Sequence, residues 1–132
     1  MTRRVIRNES GVATVEMAFA LPVLILFIYG IFQIGMIMAA SAGMQHALGE
    51  GARQATIYPY PSDATVKTTI QNKVFGLYLG DYTVSDPADV TNASGTKIAK
   101  DLQVTYTVTP NFLFFSAPPV TLVRTKRVYL SF

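Results

Sequence analysis

The sequence contains no cysteine and only one histidine, which limits the kinds of functional site it can form. Without cysteine there is neither a disulfide framework nor a thiolate metal site. His46 has no second histidine and no nearby pair of acidic residues, so we expect a surface residue rather than a metal ligand or catalytic base. The chain also lacks a recognisable Ser/His/Asp set and a phosphate-cradling glycine loop. We therefore expect a protein that is not an enzyme and that uses no cofactor or metal ion.

Charged side chains are also scarce, at 14% of residues, and they are absent from the run Met17–Ala40. Gln33 is the one obviously polar side chain in this run. As a helix, with about 1.5 Å of rise per residue, the run would extend about 36 Å, which is enough to cross a hydrocarbon core of about 30 Å with some tilt. A buried core helix is the alternative, but in so short a chain such a helix is rarely apolar on every face. We predict a membrane-spanning helix.

The N-terminus contributes most of the formal net charge of +3, because Arg3, Arg4 and Arg7 outnumber Glu9. A short basic segment before a long apolar run favours an N-terminus in the cytoplasm and a C-terminal part across the membrane. A nucleic-acid-binding surface is the competing interpretation, and we disfavour it because these basic residues adjoin the apolar run. The apolar run is also far longer than the roughly 7 to 15 residues of a secretory signal.

Between the arginines and the apolar run lies the segment ESGVATVEMAFALP, in which four uncharged residues separate Gly11 from Glu16. Taken singly, each residue has an ordinary explanation, since Gly11 ends a loose tail and Glu16 favours the positive end of the helix dipole. A carboxylate near the interface costs little, whereas an unpaired one deeper in the bilayer costs several kcal/mol. Glu16 therefore gains a role if a positive partner is brought to it.

This segment, with the arginines before it, resembles the N-terminus of prepilins of the type IV filament superfamily, and most closely the TadE-like minor pilins or pseudopilins of the tight-adherence (Tad or Flp) pilus system. In that family a prepilin peptidase cleaves after the glycine, on the cytoplasmic side, and a glutamate becomes the fifth mature residue. By position, the resemblance implies a leader peptide at residues 1–11, cleavage between Gly11 and Val12, and Glu16 as that glutamate. Met17 departs from the family pattern, which often has an aromatic residue there.

Cleavage at this position would create a second charge beside the membrane helix. It exposes an α-ammonium group on Val12, which a neighbouring subunit could meet with its own Glu16. Desolvation offsets much of the attraction between two such charges, so we expect the pair to set the register of assembly rather than to add raw stability.

The helix is expected to continue to Ile57, giving an N-terminal helix over residues 12–57, because Pro59 and Pro61 supply the first stop after the apolar run. Small residues recur along it at every fourth position, which lets another helix approach closely. They are Gly35, Ala39, Gly43, Ala47, Gly51 and Ala55. For Gly43 onward, packing against the chain's own sheet and packing between subunits are both compatible with the pattern. For Gly35 and Ala39, which lie inside the predicted membrane span, a partner helix is favoured.

The patterns in residues 58–132 predict a small α+β domain. Ala64–Tyr78 has apolar residues at helical spacing, and Tyr82 and Val84 indicate a short strand, after which DPADVTNASGT is typical of an exposed loop. Two stronger strands follow, LQVTYTVT and roughly Val120–Phe132, and we expect them to form an antiparallel hairpin. The first alternates apolar with polar residues, which predicts one packed face. That face consists of Leu102, Val104, Tyr106 and Val108.

The connector PNFLFFSAPP between these two strands is unusually apolar. Its residues Phe112, Leu113, Phe114 and Phe115 would form an exposed apolar tip unless something covers them. Three arrangements remain open, in which the tip folds back onto the domain core, contacts another subunit or dips into the membrane interface.

The fold class expected from these patterns is α+β: a long N-terminal helix, a short helix and a small antiparallel sheet. The resemblance implies a structural minor pilin or pseudopilin of the bacterial inner membrane, with its C-terminal domain in the periplasm or, after assembly, in the pilus. It further implies as partners the prepilin peptidase, other pilin subunits, the pilus assembly platform and membrane lipid, with no nucleic acid. The alternative is an uncleaved single-pass anchor with a periplasmic binding domain.

Overall fold

A computed structural model describes residues 9–76, 79–112 and 114–130. It contains two helices, α1 (Glu9–Ala55) and α2 (Asp63–Lys73), followed by strands. The strands are β1 (Gly80–Val84), β2 (Ala88–Thr91), β3 (Lys97–Val108), β4 (Asn111–Phe112), β5 (Phe115–Ser116) and β6 (Val120–Tyr129). A long helix, a short helix and an antiparallel sheet confirm the predicted α+β class.

Helix α1 is the longest element of the protein, with 47 residues and therefore a length of about 70 Å. Within the described part of the chain it is the one helix long and apolar enough to cross a membrane. It ends at Ala55, slightly before the predicted Ile57, and the peptide bond between Tyr58 and Pro59 is cis. Its C-terminal half packs against the rest of the protein, whereas its N-terminal half extends away from it.

Helix α2 begins where the Ser62 hydroxyl accepts a hydrogen bond from the backbone N–H of Thr65, at 3.2 Å. The sequence predicts a helix as far as Tyr78, but α2 ends at Lys73. The helical conformation stops at the C-cap Val74, which is extended with φ −68° and ψ 137°. Two residues later Gly76, with φ 75°, adopts the left-handed conformation that glycine tolerates best and lies against α1 at Ala39. Leu77 and Tyr78, predicted to lie on the apolar side of this helix, fall outside the described residues.

The main sheet is built around β3. Strands β1 and β2 share one edge of β3, and β6 covers the other edge along most of its length. All three pairings are antiparallel, so the predicted hairpin of β3 and β6 is confirmed. The strand indicated by Tyr82 and Val84 is confirmed as β1.

Strand β2 corrects a prediction, since Ala88–Thr91 lies in the segment expected to be a loop. The cause is the length of β3, which begins at Lys97 rather than near Leu102. Its additional backbone N–H and C=O groups need partners, and β2 supplies them, with a register irregularity between Val90 and Thr91. Pairing between distant residues thus overrides the local turn signal.

The core lies between α1, α2 and one face of the main sheet. The predicted packed face of β3 is confirmed, because Leu102, Val104, Tyr106 and Val108 are all buried. Opposite them, α1 contributes Ala40, Met44, Ala47, Leu48, Ala52 and Ala55, and α2 contributes Val66 and Ile70.

Candidate functional site

The segment with the predicted cleavage site is the exposed beginning of α1. Gly11 and Val12 are both exposed, and a Cβ atom added to Gly11 would meet no atom within 4 Å. Glu16 lies one turn further along the helix and is also exposed. The ion pairs found among the described residues do not include Glu16. Its carboxylate is thus accessible to a cation from another molecule.

From Val12 to Met38, α1 exposes large apolar side chains on most of its surface. They are Val12, Val15, Met17, Phe19, Leu21, Val23, Leu24, Ile25, Phe27, Ile28, Ile31, Phe32, Ile34 and Met38. Such a surface is unstable in water and is suited to lipid or to other apolar helices. The structure therefore supports the membrane anchor expected for this run.

We call the small residues at every fourth position of α1 the ridge, and they divide into two parts. The ridge consists of Gly35, Ala39, Gly43, Ala47, Gly51 and Ala55. A Cβ atom on Gly43 would overlap the carbonyl oxygen of Phe75 and come within 2.8 Å of its carbonyl carbon. At Gly51 a Cβ atom would come within 2.8 Å of Ile70 Cδ1. Ala47 is fully buried and Ala55 nearly so. From Gly43 onward, these residues allow the chain's own second helix and sheet to approach α1 closely.

The other two members of the ridge are accessible. Beside Gly35 no atom of the described chain lies within 4 Å of where a Cβ would be, apart from its own helix backbone and neighbours. Ala39 is also exposed. The contact with a partner helix at these two positions stays a prediction. The structure leaves space for it at Gly35, whereas Gly76 lies against the backbone carbonyl of Ala39.

The apolar connector lies against the apolar run of α1, away from the domain core. Strands β4 and β5 pair within it, and the rings of Phe112 and Phe115 stack with centroids 5.2 Å apart. The Phe112 ring lies against Gly30, where an added Cβ would be 3.4 Å from Phe112 Cε1. Phe114 and Phe115 remain 73% and 59% exposed. Leu113 lies outside the described residues.

Sequence reasoning missed the polar contact that holds this connector. The side-chain amide of Gln33 donates a hydrogen bond to the backbone carbonyl of Asn111, and Gln33 is only 4% exposed. One signal could have indicated it: Gln33 is the lone obviously polar side chain in the apolar run, and an amide within a membrane needs a partner from the protein.

Basic residues of β6 fasten the sheet to α1 and to β3. The Arg124 guanidinium donates two hydrogen bonds to the Ser41 hydroxyl, at 3.1 and 2.9 Å. Arg127 donates to both carboxylate oxygens of Asp101, at 2.7 and 2.8 Å. This pairing holds the pKa of Asp101 below its ordinary value and raises that of Arg127. The Arg124 contact lies just above the predicted span and was not expected from the sequence.

A second group of charges joins α2 to the sheet. Lys100 pairs with Asp63 and, at 3.1 Å, with Asp89, which also pairs with Lys97 at 2.5 Å. Partial burial alone would lower the pKa of Lys100, but hydrogen bonds to the two carboxylates outweigh it and raise that pKa. His46, by contrast, is exposed on α1, and its ring lies 5.6 Å from that of Phe75. The ion pairs of Lys100 and Asp89 thus connect α2 and β2 to β3.

In a comparison with protein families, the family described as TadE-like protein matches residues 11–53. No curated protein and no solved structure matches the chain. The matched region starts at Gly11, includes Glu16 and the whole apolar run, and ends within the last turn of α1. It does not extend into α2 or the sheet. Over residues 11–53, most of α1, this chain is therefore similar to the TadE-like family.

Proposed function

We propose that this protein is a minor pilin or pseudopilin of a Tad-type pilus, processed after Gly11 and assembled through α1. The observation that carries the proposal is the TadE-like segment itself, which combines an exposed Gly11, an accessible Glu16 and an apolar helix surface that the rest of the described chain covers only around Gly30 and Gln33. A family match alone suggests the pilus system; the exposed helix supports a role in assembly.

Processing would be hydrolysis of the peptide bond between Gly11 and Val12. One water molecule is consumed, the released leader ends in the Gly11 carboxylate, and Val12 acquires an α-ammonium group. The leader takes the three N-terminal arginines with it, so the mature helix begins with a single positive charge. Removal of these cations lowers the barrier to lifting the N-terminus out of the cytoplasmic interface.

Glu16 gives this new ammonium group a partner. Residues four apart lie next to each other on one helix face, so Val12 can first pair with Glu16 of its own chain. In an assembly, the same ammonium can meet Glu16 of a neighbouring subunit displaced along the helix axis. Because each charge is costly in lipid when unpaired, only registers that pair them are favoured. This selects the stagger between subunits.

The remaining parts of the protein fit a subunit of an assembly. The N-terminus would lie in the cytoplasm of a bacterial cell, α1 would cross the inner membrane and the sheet would lie in the periplasm, with prepilin peptidase, other pilin subunits and the assembly platform as partners. The orientation is supported by the basic N-terminus. Gly35 and Ala39 offer the accessible small-residue surface through which a neighbouring helix would pack.

Processing is tested by determining the N-terminus of the protein in membranes with and without an active prepilin peptidase. We expect a mature chain starting at Val12 only when the peptidase is active. Gly11→Val should block cleavage without changing the fold, because a side chain at Gly11 meets nothing in the structure. Ala18→Val, a similar enlargement at an exposed position of the same helix, is the matched control and should be processed normally.

Two results would count against the proposal. A mature chain with any other N-terminus would refute the cleavage site. Intact precursor as the only form in piliated cells would favour the alternative, an uncleaved single-pass anchor with a periplasmic binding domain.

A further inference from the structure

The apolar connector between β3 and β6 has no role in the proposal above. We call the paired strands β4 and β5, together with Phe114, the tip hairpin. It is attached to α1 by the Gln33 hydrogen bond to Asn111 and by the Phe112 ring beside Gly30. Its outer side presents Phe114 and Phe115, which no other part of the described chain covers.

The attachment point defines how deep the tip hairpin lies. With α1 along the membrane normal and measured from Met17, where the uncharged run begins, a hydrocarbon core of about 30 Å takes up about 20 residues of helix and ends near Met36; tilt moves this boundary toward Ala40 and places the attachment point deeper. By the same rise per residue, Gln33 lies about 5 Å and Gly30 about 9 Å inside this boundary. The tip hairpin is thus held at the level of the outer acyl chains.

The charges around the tip hairpin agree with this level. No charged residue occurs in the sequence from Leu102 to Val123. The first one after it, Arg124, reaches Ser41 of α1, about 8 Å above Met36 by helix rise, where its guanidinium would meet headgroups. On the neighbouring strand, Asp81 lies opposite Thr107, which limits the buried part to the tip hairpin and its flanking prolines.

The backbone of the connector is also suited to an apolar medium, in which polar groups must be paired within the protein. The N–H of Phe114 donates to the carbonyl of Phe112, and the N–H of Ala117 donates to the carbonyl of Pro110 at 2.8 Å. Pro118 and Pro119 have no N–H to satisfy. In water, the backbone N–H groups of the connector could instead donate hydrogen bonds to solvent, so pairing within the protein would not be required.

We propose that the tip hairpin inserts Phe114 and Phe115 into the outer leaflet while α1 spans the membrane. It acts as a second, shallow anchor whose side chains contact lipid acyl chains. This anchor fixes both the height and the rotation of the folded domain relative to α1. The inference rests on the membrane insertion of α1 included in the proposed function, but it does not depend on cleavage at Gly11.

The absence of tryptophan from the chain makes a direct test possible. Single-tryptophan variants of the full chain would be reconstituted in phosphatidylcholine vesicles containing lipids brominated on their acyl chains, which quench nearby tryptophan. The test variants are Phe114→Trp and Phe115→Trp. Ile25→Trp, on the exposed surface of α1, reports insertion of the helix, and Tyr129→Trp, 70% exposed at the far end of β6, reports a position outside the membrane.

We expect the two tip variants to be blue-shifted and quenched nearly as strongly as Ile25→Trp, with Tyr129→Trp unquenched. Quenching at Phe114 and Phe115 no greater than at Tyr129 would overturn the inference, with the tip in water. A blue shift without quenching, which grows with the ratio of protein to lipid, would overturn it in favour of a second copy of this chain. Absence of quenching at Ile25 would instead refute membrane insertion of α1 and both proposals together.

Discussion

Two glycines of the α1 ridge form a matched pair for testing the packing described above. Gly43 and Gly35 lie on the same helix, and the same change to alanine can be made at each. In a helix interior exposed to water, this change stabilises by about 1 kcal/mol. A Cβ on Gly35 would meet nothing, whereas a Cβ on Gly43 would overlap the backbone carbonyl of Phe75. Gly35→Ala should therefore raise or preserve the stability of the protein, whereas Gly43→Ala should lower it.

The size of the effect at Gly43 follows from the rigidity of its neighbour. A backbone carbonyl cannot rotate away as a side chain can, so the segment after α2 must shift, and overpacking of this kind costs about 1–3 kcal/mol. Because the overlap is with backbone atoms, we take the upper part of this range, about 2–3 kcal/mol. After the gain of about 1 kcal/mol in helix propensity is subtracted, we expect Gly43→Ala to destabilise the domain by about 1–2 kcal/mol. For a domain of this size, this corresponds to a fall in Tm of about 5–10 °C. Gly35→Ala should leave Tm unchanged or slightly raised.

The measurement is thermal unfolding in detergent micelles, followed by the near-ultraviolet circular dichroism of tyrosine. The helix dichroism is unsuitable because α1 stays helical in a micelle, whereas the buried ring of Tyr106 reports the folded domain. A Tm of Gly43→Ala at or above that of the wild type would refute the close approach of Phe75. An equal fall in Gly35→Ala would refute the difference between the two parts of the ridge.

Three further variants test other contacts. Gln33→Leu leaves the Asn111 carbonyl without its donor, which costs about 1–3 kcal/mol, and should speed proteolysis of the tip hairpin in micelles; an unchanged rate would contradict this role. Arg127 lowers the pKa of Asp101, so the pair stabilises the folded protein above about pH 4 and its contribution disappears as pH falls through that lowered pKa. The difference in Tm between the wild type and Asp101→Asn should therefore vanish in acid, and a difference independent of pH would argue against the pairing. Glu16→Gln should insert normally into membranes yet abolish pili counted by electron microscopy, and normal piliation would disprove the register role.

The parts of the fold that the sequence predicted correctly depend on local periodicity. The uncharged run predicted the exposed apolar half of α1, and strict alternation predicted the packed face of β3 around Leu102 and Tyr106. The prediction failed where distant residues decide the outcome. Strand β2 forms in a turn-rich segment because β3 needs a partner, and α2 stops at Lys73, after which an extended Val74 leads to Gly76 against α1.

In the candidate site, too, residues close together in the sequence were predicted and a contact between distant residues was missed. Gly11 and Glu16 were predicted from a short motif, because the proposed processing and charge pairing would depend on residues close together in the sequence. The contact between Gln33 and Asn111 joins residues far apart in the chain, and no periodic pattern indicates it. The one local indication was Gln33 itself, a polar side chain in a run where the bilayer would offer it no hydrogen-bond partner.

The geometry of the ridge explains how one helix can serve both its own domain and a neighbour. Four residues turn a helix by about 400°, so each step along the ridge rotates it by about 40°, and Gly35 and Ala55 are separated by about 200°. By the same count, Gly30 and Gln33, which hold the tip hairpin, lie about half a turn away from Gly35 and Ala39. The tip hairpin and the core thus occupy one side of α1, and the accessible ridge faces the other. The proposed packing of a neighbouring helix at Gly35 would therefore leave the domain and the hairpin in place, whereas at Ala39 that helix would have to fit beside Gly76, which lies against the Ala39 carbonyl group.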